Sequence, residues 1–266
     1  MGEAYNKEEK FKEIDNIIET INRFRQEPLF SNEMKSRQNR TNPLLLSDNE
    51  LLEIFSYLIA YSQNANSETV EKVLLSGKFN EAFESFEIDK VVMLNPCDIA
   101  DKHWDSIKGI RQQTKLFHIV SLARKMERIG KSKGRFTDLL KQVDIPTSIR
   151  SEEDIDKFWV GFDKLLKIME NHKIPFFRST TSLLHFLLHV GYDCIKPDLA
   201  VMKVALELGI VEKETDDKNL RKAVRFVQEY SLYKGIKPSI VDFYFLIEGG
   251  QMGAKKYVTE NFYKNK

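Results

Sequence analysis

The sequence of 266 residues predicts an all-α protein. Apolar residues recur with the period of an amphipathic helix in most segments, as they do between Leu51 and Ile59. Many of these segments stop at a glycine, which is a common helix C-terminal signal. The alternation of apolar and polar residues that is typical of half-buried strands is scarce. We therefore expect helices joined by short connections.

The elements follow in chain order. A peripheral N-terminal helix and a polar connector, NEMKSRQNRTNP, occupy residues 1–46, and a helical domain occupies residues 47–266. This domain opens with SDNELLEIFSYLIAYSQ, where Ser47 and Glu50 have the spacing of a capping box. The helices predicted after it lie at residues 67–77, 79–86, 96–109, 111–130, 152–172, 181–191, 197–209, 216–235 and 238–250. The helix that starts near residue 111 is expected to end at Gly130.

The composition is that of an ordinary globular protein, with 42% hydrophobic residues, 30% charged residues and a net charge of +1. No apolar run approaches the roughly 18 residues that a membrane span needs, and the N-terminus lacks an apolar signal core. We expect a monomer without a membrane partner, in the cytoplasm or in a eukaryotic nucleus. Cys97 and Cys194 make neither a disulfide framework nor a clustered metal site, so no metal or other cofactor is expected.

The charge is unevenly distributed along the chain. Residues 101–135 carry ten Lys and Arg residues against three acidic residues, and Lys108 and Arg111 belong to this stretch. Such a stretch is typical of a surface that meets phosphates. It is equally typical of a solvated helix face followed by a basic loop, and the sequence leaves both interpretations open.

Asp198 is the residue that raises a functional question. In HVGYDCIKPDLAVMKVALELGI it follows a proline and opens an apolar helix, and Lys196 lies two residues before it. Asp is a favoured helix N-cap, which is one explanation of its position. The other explanation is a catalytic carboxylate, because the N-terminus of a helix also favours an anion.

A resemblance bears on this choice. FFRSTTSLLHFLLHVGYDCIKPDLAVMKVALELGI resembles the core of the helix-hairpin-helix DNA glycosylase superfamily, without gaps. Gly191 matches the glycine that ends a helix, Asp198 the catalytic Asp, and Lys203 the basic residue of the next helix. Thr180 stands where bifunctional members carry a lyase lysine. The resemblance implies a two-lobed helical glycosylase-like fold with a cleft between the lobes and a degenerate helix-hairpin-helix.

A second stretch, from Asp48 to Met126, is similar in layout to type I DNA-3-methyladenine glycosylases, and the two matches together cover roughly residues 48–250. The chain departs from that pattern at three places. Phe176, Phe177 and Arg178 replace the hairpin glycines, Tyr61 stands near the acid that reads the methylated base, and the zinc ligands are missing. We therefore expect no structural zinc, and Arg178 and Ser179 are the candidate substitutes for the glycine-rich phosphate contact.

The resemblance implies a monofunctional glycosylase that hydrolyses the N-glycosidic bond of a damaged base, for instance an alkylated one, flipped from double-stranded DNA. Asp198 would stabilise the oxocarbenium-like transition state. With Thr180 in place of lysine, no Schiff base can form there, so no lyase activity is expected. The predicted base pocket comprises Tyr57, Tyr61, Gln63, Asn64 and Trp104. The predicted DNA-backbone contacts are Arg178, Ser179, Thr180, Lys203, Lys108 and Arg111.

Other interpretations stay open. Core packing is the alternative explanation of the aromatic residues, and it is the favoured explanation of Trp159. His185 and His189 share a helix face, but no further ligand pattern accompanies them, so packing or pocket lining is the expected role. The chain as a whole fits two alternatives, a non-catalytic nucleic-acid-binding or partner-binding protein on the same fold, and an unrelated helical scaffold protein.

Overall fold

The computed structural model describes residues 2–40, 42–63, 65–259 and 261–264, and every regular element within these ranges is helical. The predicted all-α class is confirmed. The α-helices are α1 (Gly2–Asn22), α2 (Pro28–Gln38), α3 (Asp48–Tyr61), α4 (Ser67–Leu75), α5 (Lys78–Ala82), α6 (Ile88–Val91), α7 (Pro96–Ile107), α8 (Thr114–Lys133), α9 (Phe136–Gln142), α10 (Glu152–Asn171), α11 (Thr180–Val190), α12 (Leu199–Glu207), α13 (Asp217–Lys234), α14 (Pro238–Glu248) and α15 (Asn261–Lys264). Short 3-10 helices cover Pro43–Leu45, Glu84–Phe86, Lys108–Ile110 and Met252–Tyr257.

The chain forms two compact units. Unit 1 contains Met1–Thr41, Pro146–Lys157 and Gly191–Lys266, and unit 2 contains Asn42–Ile145 and Phe158–Val190. Residues 1–46 were predicted as a peripheral segment, yet most of them belong to unit 1 together with the C-terminal helices. Ile14, Ile21 and Phe30 are fully buried, so α1 and α2 are structural parts of this unit.

Helix α14 lies at the centre of unit 1. It is largely apolar and buried along most of its length, and it contacts α1, α2, α12 and α13. Its residues Phe243, Tyr244 and Ile247 pack in one buried cluster with Phe24 and Phe30. Burial of aromatic side chains of this size supplies much of the stability of a small helical unit.

The predicted polar connector at residues 32–43 is mostly wrong, because α2 extends to Gln38. The segment has little amphipathic pattern, but Pro28 occupies the first helical turn, where its fixed φ is favourable. Met34 and Arg37 are buried against the rest of unit 1. Tertiary contacts therefore hold this segment as a helix.

Unit 2 is built around α3, which contacts α8, α9 and α11. The ring of Phe55 on α3 stacks on Phe186 of α11, with ring centroids 3.9 Å apart, and meets the edge of Phe136 of α9. The predicted capping box starts α3: the Glu50 N–H donates to Ser47 Oγ (3.2 Å), and the Ser47 N–H donates to Glu50 Oε2 (2.7 Å). This prediction is confirmed. Trp159 is also buried, in edge contact with Phe158 and Phe162, as expected for core packing.

The end of α8 and the presence of α9 differ from the prediction. Helix α8 continues through Gly130 to Lys133 and ends at Gly134, whose φ is +88°. Gly130 stays helical, whereas the positive φ of Gly134 turns the backbone out of the helix. Helix α9 follows at once, and its N-terminus is capped from a distance: Asp48 accepts the N–H groups of Phe136 (2.8 Å) and Thr137 (3.0 Å).

Candidate functional site

Asp198 is the N-cap of α12. Its Oδ1 accepts the backbone N–H groups of Ala200 (3.1 Å) and Val201 (3.2 Å), and its backbone is extended. The Oδ2 atom lies 3.4 Å from Lys196 Nζ, and 19% of the Asp198 side chain is exposed. The carboxylate is therefore held in one orientation, with one oxygen engaged by the helix and the other facing a lysine.

Asp242 of α14 binds the backbone of the loop before Asp198. Asp242 Oδ1 accepts the Lys196 N–H at 2.9 Å, and its Oδ2 accepts Arg37 Nη1 at 2.7 Å. Arg37 Nη1 also donates to the carbonyl of Ser239 at 2.8 Å, and Arg37 Nε donates to Glu33 at 2.6 Å. Unit 1 thus contains a buried ionic network that is hydrogen-bonded to the segment carrying Asp198.

The electrostatics of this network follow from burial and pairing. Burial lowers the pKa of Arg37, but Asp242 and Glu33 outweigh it and raise that pKa overall. Burial, helped by Arg37, lowers the pKa of Arg40 to about 10. The Nη1 atom of Arg40 is buried and has no hydrogen-bond partner among the described residues. Burial also raises the pKa of the Cys194 thiol, so this cysteine is not a reactive thiolate.

The start of α12 and the end of α14 approach each other closely. Gly249 follows α14, and a Cβ atom built on it would lie 2.3 Å from the carbonyl oxygen of Ala200. Only glycine permits this distance between backbones. The glycine therefore fixes the first turn of α12, where Asp198 caps, against α14.

Lys203 is the other predicted site residue in unit 1. Its side chain is exposed on α12, and its Nζ lies 3.8 Å from Glu207. An exposed pair at this distance contributes little to stability, so Lys203 is accessible to an anionic partner. The remaining predicted residues that the structure describes belong to unit 2, and Asn64 lies outside the described residues.

Within unit 2, the structure brings Gln63 and Arg111 together. Both residues have positive φ, +57° and +78°, and Arg111 Nη1 donates to the Gln63 carbonyl at 3.3 Å. Lys115 holds this loop from inside: its buried Nζ donates to the carbonyls of Ala60, Ser62 and Ile110, each at 2.8 Å. The lysine thereby caps the C-terminal end of α3, where a cation is favoured.

The three aromatic residues of the predicted pocket have different surroundings. The Tyr57 hydroxyl contacts Glu53 at 2.7 Å and Asn80 at 2.9 Å, and its ring packs against Phe79 and Phe86. This arrangement supports the packing interpretation for Tyr57. Tyr61 is 37% exposed at the end of α3, and Trp104 is half-buried on α7.

The loop at residues 172–179 joins α10 to α11 at the position of the predicted degenerate hairpin. Phe176, which stands where the superfamily has a glycine, has φ of +72°. The backbone thus takes a glycine-like conformation although the residue has a side chain. Arg178 and Ser179 are exposed, and Ser179 Oγ accepts the Ser182 N–H at 3.4 Å, near the start of α11.

Thr180 does not present its side chain to solvent. It is only 4% exposed and belongs to the packed first turn of α11. Its contact with DNA backbone stays a prediction, and the low exposure of the residue leaves little of the side chain for such a contact. Lys108, by contrast, is exposed and lies 3.4 Å from Asp105.

Two important residues escaped the sequence-based prediction. Asp242 is the one acidic residue within the apolar run IVDFYFLI, and a lone acid in such a run is a signal of a buried partner. Lys115 gives a weaker signal, as a lysine directly before the apolar stretch LFHIV. Neither pattern reveals the partner, which in both cases is distant in sequence or a backbone carbonyl.

His185 and His189 lie close together on α11, with ring centroids 4.8 Å apart. In the part of the chain that the structure describes, no group of three or more His, Cys, Asp and Glu side chains is arranged to hold a metal ion. Nor is any helix in that part both long and apolar enough to cross a membrane.

Comparison of the chain with protein-family models, with curated proteins and with solved structures produced no match. The resemblance to helix-hairpin-helix DNA glycosylases therefore stays a prediction.

Proposed function

We propose that this protein is a monofunctional DNA N-glycosylase, which hydrolyses the bond between deoxyribose and a damaged base flipped from duplex DNA. The observation that carries the proposal is the fixed carboxylate of Asp198 at the N-terminus of α12, with Oδ1 on two backbone N–H groups and Oδ2 toward Lys196. A damaged base would be the substrate, and the products would be the free base and an abasic site.

Hydrolysis of the glycosidic bond requires a carboxylate that is already held in position. Cleavage of the glycosidic bond develops positive charge on the sugar, which a preorganised carboxylate stabilises. The N-terminal N–H groups of α12 and the Lys196 ammonium both lie beside the Asp198 carboxylate. Asp242, which is paired with Arg37, accepts the backbone N–H of Lys196. Because this bond fixes the loop, we expect the Asp198 carboxylate to reorganise little during the reaction.

The candidate phosphate contacts of the proposal are exposed polar and basic side chains. Lys203 in unit 1 and Lys108, Arg178 and Ser179 in unit 2 are exposed. The positive φ of Phe176 supports a hairpin-like turn before α11, and the N-terminus of a helix favours a phosphate. Tyr61, Gln63 and Arg111 belong to unit 2, and their contact with a flipped base stays a prediction.

A second candidate function is a non-catalytic nucleic-acid-binding protein on the same helical fold. The observation that favours it is the cap itself: Asp198 satisfies two N–H groups of α12 and so has a sufficient structural role without chemistry. The burial of Thr180 and the side chain on Phe176 also reduce the phosphate contacts available at the hairpin.

The deciding experiment measures base release from duplex DNA that carries methylated, oxidised or deaminated bases. Asp198→Asn keeps the shape and the capping oxygen but removes the charge. Asp216→Asn is the matched control, because Asp216 caps α13 in the same unit through the Asn219 N–H at 2.8 Å. Asn is as good an N-cap as Asp, so both variants should fold with nearly wild-type stability.

We expect release by the wild type and by Asp216→Asn, and a loss of about 100-fold or more in Asp198→Asn. Equal release by Asp198→Asn and the wild type would show that Asp198 is only a cap. No release from any of these duplexes, with DNA binding unchanged in both variants, would remove the enzyme proposal and favour the binding protein.

A further inference from the structure

A pocket of about 300 Å³ lies in unit 1, where the last turns of α13 meet the start of α14. Ser231 and Leu232 line it from α13, Pro238 lines it from α14, and Asp193 and Arg150 come from two loops. The volume is at the small end of ligand pockets, so it admits one small molecule and no polymer segment. Asp198 does not line this pocket.

Ser231 contributes a hydroxyl that is left without a partner. The residue is 3% exposed, and its Oγ is buried with no hydrogen-bond partner among the described residues. Leaving a buried hydroxyl unpaired is unfavourable, and such a group in a native protein needs an explanation. A ligand that bonds to this hydroxyl is one explanation, because Ser231 lines the pocket.

Asp193 contributes a buried acceptor beside it. One carboxylate oxygen, Oδ2, accepts the Ile149 N–H at 3.0 Å. Gln228 holds the backbone of Asp193 in place by donating to its carbonyl at 3.0 Å. Burial raises the pKa of Asp193, while the Ile149 N–H and Lys237 oppose this shift. The inner end of the pocket therefore favours a ligand with N–H donors.

The outer end has the opposite character. Arg150 and Lys237 are exposed, positively charged and part of the lining, and Lys237 is also the N-cap residue of α14. Lys237 Nζ donates one hydrogen bond to the Gln38 carbonyl at 2.8 Å, and an ammonium has three donors. Two cations beside the N-terminus of an 11-residue helix favour an anion with several acceptor oxygens, such as a phosphate.

We propose that this pocket binds a nucleoside monophosphate, with the base inside and the phosphate at Arg150 and Lys237. The N–H groups of a base fit Asp193 and Ser231, and the apolar side chains of Ile149, Leu232 and Ile236 offer walls for a flat ring. A simple anion would be repelled by Asp193, and a simple cation by the two basic side chains. The site is separate from the proposed glycosylase chemistry, because it uses none of those residues.

The test is isothermal titration calorimetry of the full chain with adenosine, guanosine, cytidine and uridine 5′-monophosphates, and with the matching nucleosides. We expect saturable binding of at least one monophosphate and about tenfold weaker binding of its nucleoside, since a charged hydrogen bond is lost. Glycine and glutamate serve as small zwitterionic probes. Binding of either amino acid as tightly as the best nucleotide would overturn the proposal.

Two variants separate binding from folding. Ser231→Ala removes an unpaired hydroxyl, so its melting temperature should equal or exceed that of the wild type, while the nucleotide should bind about fivefold to tenfold more weakly. Arg150→Ala should weaken binding of the monophosphate but not binding of the nucleoside. Ser36→Ala and Arg25→Ala are the controls, because both residues are exposed in unit 1 and lie outside the pocket.

The outcome of these titrations does not depend on base release, since Asp198→Asn should bind the nucleotide as the wild type does. No saturable binding of any monophosphate at millimolar concentration would overturn the proposal. Unchanged affinity in both Ser231→Ala and Arg150→Ala would overturn it as well, because the ligand would then bind elsewhere.

Discussion

Asp242 and Arg37 form the ion pair that supports the loop around Lys196, and both are buried. We predict that Asp242→Asn lowers the free energy of unfolding by about 3–5 kcal/mol, because Arg37 is left as a buried charge with an incomplete partner. Urea unfolding followed by circular dichroism measures this change. Asp217→Asn is the control, since Asp217 pairs with Arg221 on the exposed surface of α13 at 2.7 Å.

The control should change stability by less than about 1 kcal/mol. Equal losses in the two variants would contradict a special role of the buried pair. The comparison uses one type of substitution at two Asp–Arg pairs that differ in burial, so the difference reports burial rather than the loss of a carboxylate as such.

Lys115 is the buried cation of unit 2. We predict that Lys115→Met, which keeps the volume and removes the three hydrogen bonds to Ala60, Ser62 and Ile110, destabilises the protein by about 3 kcal/mol. Lys102→Met is the control, since Lys102 is exposed on α7. Urea unfolding of both variants checks the expectation, and an equal, small effect would contradict it.

The pH dependence of Lys115 has a definite sign. Burial, with a contribution from Arg111, lowers the pKa of Lys115 to about 8 from its ordinary value of 10.5. Between these values the unfolded chain binds more protons than the folded protein, so the free energy of unfolding rises with pH. Relative to Lys115→Met, the wild type should gain up to about 3 kcal/mol between pH 7.5 and pH 10.5. A difference that is constant over this range would contradict the lowered pKa.

At the scale of elements, the two glycines near the end of α8 provide a paired test. Gly130 is helical and a Cβ there would meet nothing within 4 Å, whereas Gly134 has φ of +88°. Gly130→Ala should therefore stabilise the protein by about 0.5–1 kcal/mol through helix propensity. Gly134→Ala should destabilise it by about 1 kcal/mol or more, because alanine is strained at that φ.

Thermal unfolding of the two variants measures both signs in one experiment. The reverse order, with Gly130→Ala less stable than Gly134→Ala, would mean that α8 ends at the earlier glycine. The sequence alone favours Gly130 as the end of α8, because it is the first glycine after the apolar pattern. The φ angle at each glycine is set by the packed structure.

Helix starts were predictable where the signal is local. Ser47 and Glu50 lie three residues apart and cap α3 as expected, and Asp198 caps α12 through the next two or three residues. Helix α9 has one weak local signal in Asp138, which accepts the Arg135 N–H at 3.1 Å, but its next two N–H groups are accepted by Asp48, 88 residues before Phe136. A cap that comes from a distant segment leaves no pattern in the residues of the helix itself.

At the scale of the whole molecule, the net charge of +1 gives no general attraction to DNA, so affinity in the proposed function has to come from local positive groups. We predict that binding to duplex DNA weakens with salt and that Lys108→Ala and Lys203→Ala each reduce the salt slope, log K against log salt, by about 1. Fluorescence anisotropy at several salt concentrations measures these slopes.

Lys90→Ala is the control for this prediction, since Lys90 is exposed and pairs with Glu87 at 2.9 Å but is not among the predicted DNA contacts. Equal slopes in all three variants and the wild type would contradict the assignment of Lys108 and Lys203. Lys115 belongs to the same basic stretch of residues 101–135, but it is buried, so it cannot contribute a phosphate contact.

The sequence by itself determined the all-α class, most of the helix positions and the location of Asp198 at a helix start. These features depend on hydrophobic period and on capping bonds that span a few residues. Only the tertiary structure decided that α2 is a helix, that the first 41 residues join the C-terminal unit, and that Arg37 pairs with Asp242. Arg37 and Asp242 are 205 residues apart. Burial and pairing of this kind depend on which distant segments meet, and that is settled by packing of the whole chain.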